Sequence, residues 1–145
     1  GAERFHSVQN GLSLVPENSI VAIQDAVRPG VSISTIWNCF KIAKEKGNAI
    51  PVIPIVDSLR KLDGEKNSVI DRKNIFAVQT PQCFKTDLIK KAYQQKFSQS
   101  FTDDSSVLES TGISINLTEG NKENIKVTSI EDLVVLESFL NKSTA

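Results

Sequence analysis

Asp25-Ala26-Val27-Arg28 sets a carboxylate and a guanidinium three residues apart, directly after the apolar run Ile20-Val21-Ala22-Ile23. An acid and a cation at that spacing suit a metal-bound, phosphate-bearing ligand. An ordinary surface turn accounts for the pair equally well. Other polar groups repeat the placement: Asp57-Ser58 follows a second apolar run, Thr80 a third, Asp71-Arg72 closes a hairpin, and Lys126 stands beside Asn124 before the last helix. Ligands of open α/β sheets lie just outside the carboxyl ends of strands. Cations and hydroxyls converging there are what an anionic, hydroxylated substrate needs. Each residue alone also has a plainer reading, with Thr80 in a turn, Lys126 on a solvated face and Arg72 as a hairpin-end solubiliser. No Walker loop, His/Cys cluster or Gly-x-Ser-x-Gly elbow occurs. His6 is the sole histidine, and the sequence specifies no Ser or Cys partner for it. A surface or half-buried place on a helix suits it better than a triad.

The positioning elements follow from periodicity. Phe5, Val8, Leu12 and Val15 predict a helix over Glu3 to Val15. Ile20–Ile23 reads as a buried strand of a parallel sheet. Ser32 is the expected N-cap of a helix with Ile33, Ile36, Trp37, Phe40 and Ala43 as its buried stripe, ended by Gly47-Asn48. Ala49 to Val56 is a strand placed at an edge by Pro51 and Pro54, because proline cannot donate to a ladder. Asp63-Gly64 signals a hairpin between Ser58–Leu62 and Asn67–Asp71. A polar two-stranded hairpin is marginal alone, so a neighbouring subunit is its expected support. Ile75–Val78 is a strand and Thr86 to Phe97 a helix. Asp103 or Asp104 starts a further helix that runs to Thr111-Gly112. Ser114–Leu117 and Asn124–Val127 are strands. Ser129 and Asp132 form a capping box for a last helix whose apolar face is Ile130, Leu133, Leu136 and Leu140. Alternating strands and helices predict one α/β domain over residues 1–145.

The 145 residues suffice for one core, and 39% hydrophobic with 23% charged content is ordinary for a globular chain. Lys+Arg and Asp+Glu both count 17, which argues against a nucleic-acid binder dominated by phosphate contacts. No apolar run approaches a membrane span and no signal pattern opens the chain. Cys39 and Cys83 fit no metal-ligand spacing, so a reduced, cytoplasmic setting is expected, with Cys39 a small core residue. No strand precedes the first helix. A doubly wound domain begins with one, so a longer parent protein is expected.

Taken together the motifs resemble a family. Gly1-x-Glu3-Arg4-x-x-Ser7-Val8-x-x-Gly11-Leu12, Asp25-Ala26-Val27-Arg28-Pro29, Asp57-Ser58, Asp71-Arg72, Gln79-Thr80-Pro81-Gln82, Phe101-Thr102-Asp103-Asp104 and Glu119-Gly120-Asn121-x-x-Asn124-Ile125-Lys126-Val127-Thr128 occur in order. The pattern is similar to 2-C-methyl-D-erythritol 4-phosphate cytidylyltransferases. The resemblance implies a Rossmann-like three-layer sandwich of the nucleotidyltransferase type, its sheet mostly parallel, with a β-arm over residues 57–72. It implies transfer of a cytidylyl group from CTP to methylerythritol phosphate with release of pyrophosphate and use of Mg²⁺. Arg72 and Lys126 would position the attacking phosphate. Asp25, Arg28, Ser58 and Thr80 would hold its hydroxyls and phosphate, with Asp25 also near the metal. Gly1, Ala2 and Ser7 would lie against cytosine and ribose. The arm would make a homodimer and carry Arg72 and Ser58 across the interface. Ser58 stands where many members have Thr. The family's Gly-rich segment, whose Arg and Lys hold the triphosphate, is not in this sequence, so the 145 residues alone are expected not to turn over CTP. The competing readings are a ribitol 5-phosphate cytidylyltransferase, a non-catalytic dimerisation fragment of the same fold, and an α/β domain for another anion.

Overall fold

The structure, a computed structural model, describes residues 1–142. Its helices are α1 (Arg4–Ser13), α2 (Ile33–Lys46), α3 (Thr86–Ala92), α4 (Asp104–Glu109) and α5 (Ile130–Lys142). Its strands are β1 (Ile20–Ile23), β2 (Asn48–Pro54), β3 (Leu59–Asp63), β4 (Lys66–Ile70), β5 (Phe76–Val78), β6 (Gln82–Lys85) and β7 (Leu117–Glu119). No helix among the described residues is long and apolar enough to cross a membrane.

The layering follows from the two-residue period of strands. In β2, Ala49 packs with Cys39 and Ala43 of α2, while its neighbour Ile50 packs in the opposite cluster with Phe5, Leu12, Ile89 and Leu108. Cys83 and Phe84 of β6 divide the same way. Helices thus cover both faces of one sheet, as expected for a three-layer α/β sandwich.

Strand directions differ from the expectation. Only β2 and β7 pair in parallel; β1–β6, β2–β6 and β2–β5 are antiparallel. The cause is β6, a strand the sequence reading omits, which runs back between β1 and β2. β1 pairs with β6 alone among the described strands, so it is half-buried rather than buried. β2 is central, not an edge. Pro51 sits there because its carbonyl accepts from Gln79 N–H at 2.8 Å while its missing N–H faces a break in the opposing line. From Ala49–Cys83 to Val52–Val78 β2 advances three residues and its partner line five. The two extra residues lie in the segment from Gln79 to Pro81, which joins β5 to β6.

Other corrections are local. In α2, Ser32 caps Thr35 N–H as expected, but the buried side is Thr35, Cys39 and Ala43; Ile33 is 75% and Trp37 70% exposed. An i, i+4 row of small side chains brings the helix close to the sheet and turns the large residues outward. α3 ends at Ala92, with Tyr93 beginning turns. The segment Asn124–Val127 joins no ladder: Asn124 spends its polar groups on the 79–80 segment and on Arg28. The Asp132 carboxylate accepts from Thr128 and Ser129 N–H at 2.8 and 2.9 Å, completing the expected box with Ser129. Of the predicted apolar face of α5 only Leu136 is buried; Ile130, Leu133 and Leu140 are exposed. β3 and β4 form the expected arm, a separate two-stranded sheet in which Asp63 opposes Lys66. Gly64 opens its two-residue loop at φ 59°, a conformation glycine adopts without strain.

Candidate functional site

Asp25 follows the end of β1, and Thr80 stands just before β6, the strand that pairs with β1. The Asp25 backbone N–H donates to Thr80 Oγ1 at 3.0 Å, which ties the two loops together. Three residues on, Arg28 folds back and its Nε reaches Asp25 Oδ2 at 3.3 Å. Lys126 Nζ stands 3.6 Å from the same oxygen. These groups open on a cavity of about 300 Å³ whose walls also include Arg4, Gln82, Thr102 and Asp103.

A buried amide pair sets the spacing. The Gln79 side chain donates to the carbonyls of Asn121 at 2.9 Å and Asn124 at 3.2 Å. Asn124 Nδ2 donates to Gln79 Oε1 and to Thr80 O, at 3.3 and 2.8 Å. Arg28 Nη1 donates to Asn124 O at 2.8 Å, and Val127 N–H to Val27 O at 2.8 Å. The loops bearing Thr80, Arg28 and Lys126 are thereby one hydrogen-bonded unit. Asn124 is wholly buried, and its Oδ1 has no hydrogen-bond partner among the described residues.

The cavity's second carboxylate, Asp103, is committed to structure. It caps α4, accepting from Ser106 N–H at 2.8 Å, Gln82 Nε2 at 2.8 Å and Ser105 Oγ at 2.7 Å. Burial acts to raise its carboxyl, but these hydrogen bonds outweigh it and hold the group below the ordinary carboxylate range. Three cations, Arg28, Lys126 and Arg4, therefore face Asp25 beside a neutral hydroxyl, an environment that accepts an anion bearing hydroxyls.

Of the predicted site residues, Asp25, Arg28, Thr80 and Lys126 meet here. Arg72 and Ser58 are exposed at the base of the arm and line no part of this cavity. The Arg72 guanidinium donates to the Val56 carbonyl. Gly1, Ala2 and Ser7 are exposed around the start of α1, beside but outside the cavity wall. His6 is half-buried on α1, as expected, and lies edge-on to Phe5 at 5.5 Å. Arg4, Gln79, Gln82, Thr102 and Asp103 line the cavity without having been assigned a place in the site from the sequence, Asp103 having been read only as a candidate helix cap. Their only signal was membership of the ordered motifs; nothing in spacing brings Arg4 and Asp103 together across about a hundred residues. Among the described residues no group of three or more His, Cys, Asp or Glu gathers as a metal cage.

Comparison with known proteins identifies the family and the fold. The family model of IspD, 2-C-methyl-D-erythritol 4-phosphate cytidylyltransferase, matches residues 1–142. The chain is 43% identical over 140 residues to the protein of that name from Bacteroides thetaiotaomicron, and 46% identical over 140 residues to that from Bacteroides fragilis. In both cases 97% of this chain is covered, and it spans 64% of the relative's length. Its fold is similar to the crystal structure of the cytidylyltransferase from Thermus thermophilus, with TM-score 0.85, 31% identity, and coverage of 97% of this chain and 71% of that one. The corresponding structure from Francisella tularensis gives a TM-score of 0.84 at 29% identity, covering 95% and 68%. The chain belongs to the 2-C-methyl-D-erythritol 4-phosphate cytidylyltransferase family.

Proposed function

We propose that this chain supplies the acceptor-substrate half of a cytidylyltransferase that joins CTP to 2-C-methyl-D-erythritol 4-phosphate. In that reaction an oxygen of the acceptor phosphate forms a bond to the α-phosphorus of CTP, and the bond from that phosphorus to the bridging oxygen breaks. Pyrophosphate carries away the electron pair. A phosphate monoester is already ionised at neutral pH, so no general base is needed. The barrier lies in bringing two polyanions together and in neutralising charge on the α-phosphate, which cations and alignment supply. Arg28 and Lys126 would neutralise the acceptor phosphate. The Thr80 hydroxyl and the Asp25 carboxylate would orient its polyol. The convergence of these four side chains on one cavity carries the reading.

A single carboxylate suits Mg²⁺ only when substrate phosphates complete the coordination. Asp25 is the carboxylate of this cavity that would hold the ion; its Oδ2 faces Arg28 and Lys126 and its Oδ1 faces Arg4. Mg²⁺ bound there would add positive charge to the phosphate environment.

The arm supports a homodimer. Leu62 and Val69 lie on one face of the hairpin and are 76% and 74% exposed, an apolar surface an isolated ribbon cannot cover. In the dimer Arg72 and Ser58 would approach the partner's site. A cytoplasmic location accords with the two buried free thiols, Cys39 and Cys83.

The test is titration of the chain with methylerythritol phosphate and with ribitol 5-phosphate. Methylerythritol phosphate is expected to bind more tightly, and Arg28→Ala and Lys126→Ala each to weaken it at least roughly tenfold, the effect of losing one charge-assisted contact. Preference for ribitol 5-phosphate, or indifference to both substitutions, overturns the reading.

A further inference from the structure

Asp25 faces a third cation that the proposed chemistry leaves without a role. Arg4 Nη2 stands 3.7 Å from Asp25 Oδ1, opposite the oxygen that Arg28 and Lys126 share. Arg4 lies in the first turn of α1, and its place is dictated from the far end of the sequence. Asp104, the first residue of α4, is 0% exposed. It takes Arg4 Nη1 on Oδ1 at 2.9 Å and Nη2 on Oδ2 at 2.6 Å, a two-pronged pair. Oδ1 also accepts the hydroxyl of buried Tyr93 at 2.5 Å. A carboxylate withdrawn this far from water needs its partners fixed, so the guanidinium has one orientation. Each terminal nitrogen gives one N–H to Asp104 and keeps another for the cavity. The bond to Asp104 holds the Arg4 guanidinium protonated well beyond its ordinary range, and burial, then the Asp104 charge, pushes the Tyr93 hydroxyl up.

We infer that Arg4 is a positioning residue of the acceptor-phosphate site: locked by Asp104 and Tyr93, it holds the outer oxygen of Asp25, so that the inner oxygen keeps Arg28 and Lys126 spaced to receive a phosphate. The inference rests on the proposed reading of the cavity. Without Arg4, the Asp25 carboxylate is free to rotate toward either remaining cation, and the gap between them is no longer set in advance.

Removing Arg4 alone strands a buried charge, so the decisive variant is the double substitution Arg4→Gln with Asp104→Asn, which leaves a neutral, hydrogen-bonding pair. Arg4→Lys keeps the charge but loses the fork. Binding of methylerythritol phosphate and thermal melting are measured for the parent chain, both variants and Arg28→Ala. The double variant is expected to melt near the parent yet bind roughly tenfold more weakly, with Arg4→Lys recovering part of the loss. A purely structural role would move melting and binding together, and that result overturns the inference. Parent-like binding by the folded double variant also overturns it while Arg28→Ala still loses affinity, which leaves the reading of the cavity intact. Indifference of binding to Arg28→Ala overturns both.

Discussion

Thr80→Val isolates one hydrogen bond at the centre of the site. Valine has the shape of threonine, so the change replaces the Oγ1 acceptor by a methyl group and leaves packing nearly unaltered. Thr80 is 5% exposed, so no bulk water replaces the lost acceptor. The Asp25 backbone N–H, now 3.0 Å from Oγ1, would be left without a partner. Stranding a buried N–H costs about 1–3 kcal/mol. For a domain of this size each kcal/mol lowers the melting temperature by about 2–4 °C, so a fall of roughly 5 °C is expected. The same bond anchors the loop that presents Asp25 and Arg28. If about 1.4 kcal/mol of that anchoring is drawn from the binding-competent arrangement, methylerythritol phosphate binds about tenfold more weakly. Calorimetric melting and isothermal titration read the two effects, with Thr80→Ser, which keeps the acceptor, as the control that retains affinity. Parent-like melting and affinity in Thr80→Val would refute the claim that this hydroxyl joins the loops.

Four further outcomes are expected. Asn124→Leu removes the Nδ2 bonds to Gln79 and Thr80, stranding the Thr80 carbonyl and leaving Gln79 Oε1 with the Asn121 N–H alone, so chemical denaturation should show a loss of about 1–3 kcal/mol together with weaker phosphate binding. Gly30→Ala places a Cβ against the Glu123 carbonyl oxygen and forces the loop bearing Lys126 away from Arg28; affinity should fall more than in Asn124→Leu, as seen by titration. The Asp103 carboxyl is held below its ordinary value of 3.8, so the stability it contributes is complete above that pH and drains as pH falls through its folded value; acid unfolding followed by circular dichroism should lose that component in Asp103→Asn. If Arg72 acts across a dimer, mixing inactive Arg72→Ala and Lys126→Ala proteins at the full length of the relatives should restore roughly a quarter of the sites, because half the random dimers carry one intact site. No recovery after subunit exchange would place Arg72 in its own subunit's site.

Some of this protein was legible in its residues alone. Ser32, Asp103, Ser129 and Gly64 act within a few positions of themselves, so caps and turns could be read correctly from local chemistry. Asp25, Arg28 and Thr80 were found because a polar residue following an apolar run marks a strand end, and strand ends share one edge of a sheet; Lys126 was read within an expected strand that the structure leaves as a loop. Ordered motifs revealed the family. Decisions that depend on distant partners were not legible. β6 offers only Cys83 and Phe84 as an apolar signal between Pro81 and Thr86, too short to read as a central strand, yet it reverses the sheet's direction. Pro51 argues for an edge until the break at 79–81 supplies a place where no donor is needed. Trp37 belongs to a buried stripe by type, but the small residues Thr35, Cys39 and Ala43 make the closer contact and turn it outward. The bond of Arg4 to Asp104 joins residues a hundred positions apart; only folding sets that buried carboxylate behind the arginine that lines the cavity, because periodicity carries no information about which distant charge will meet it.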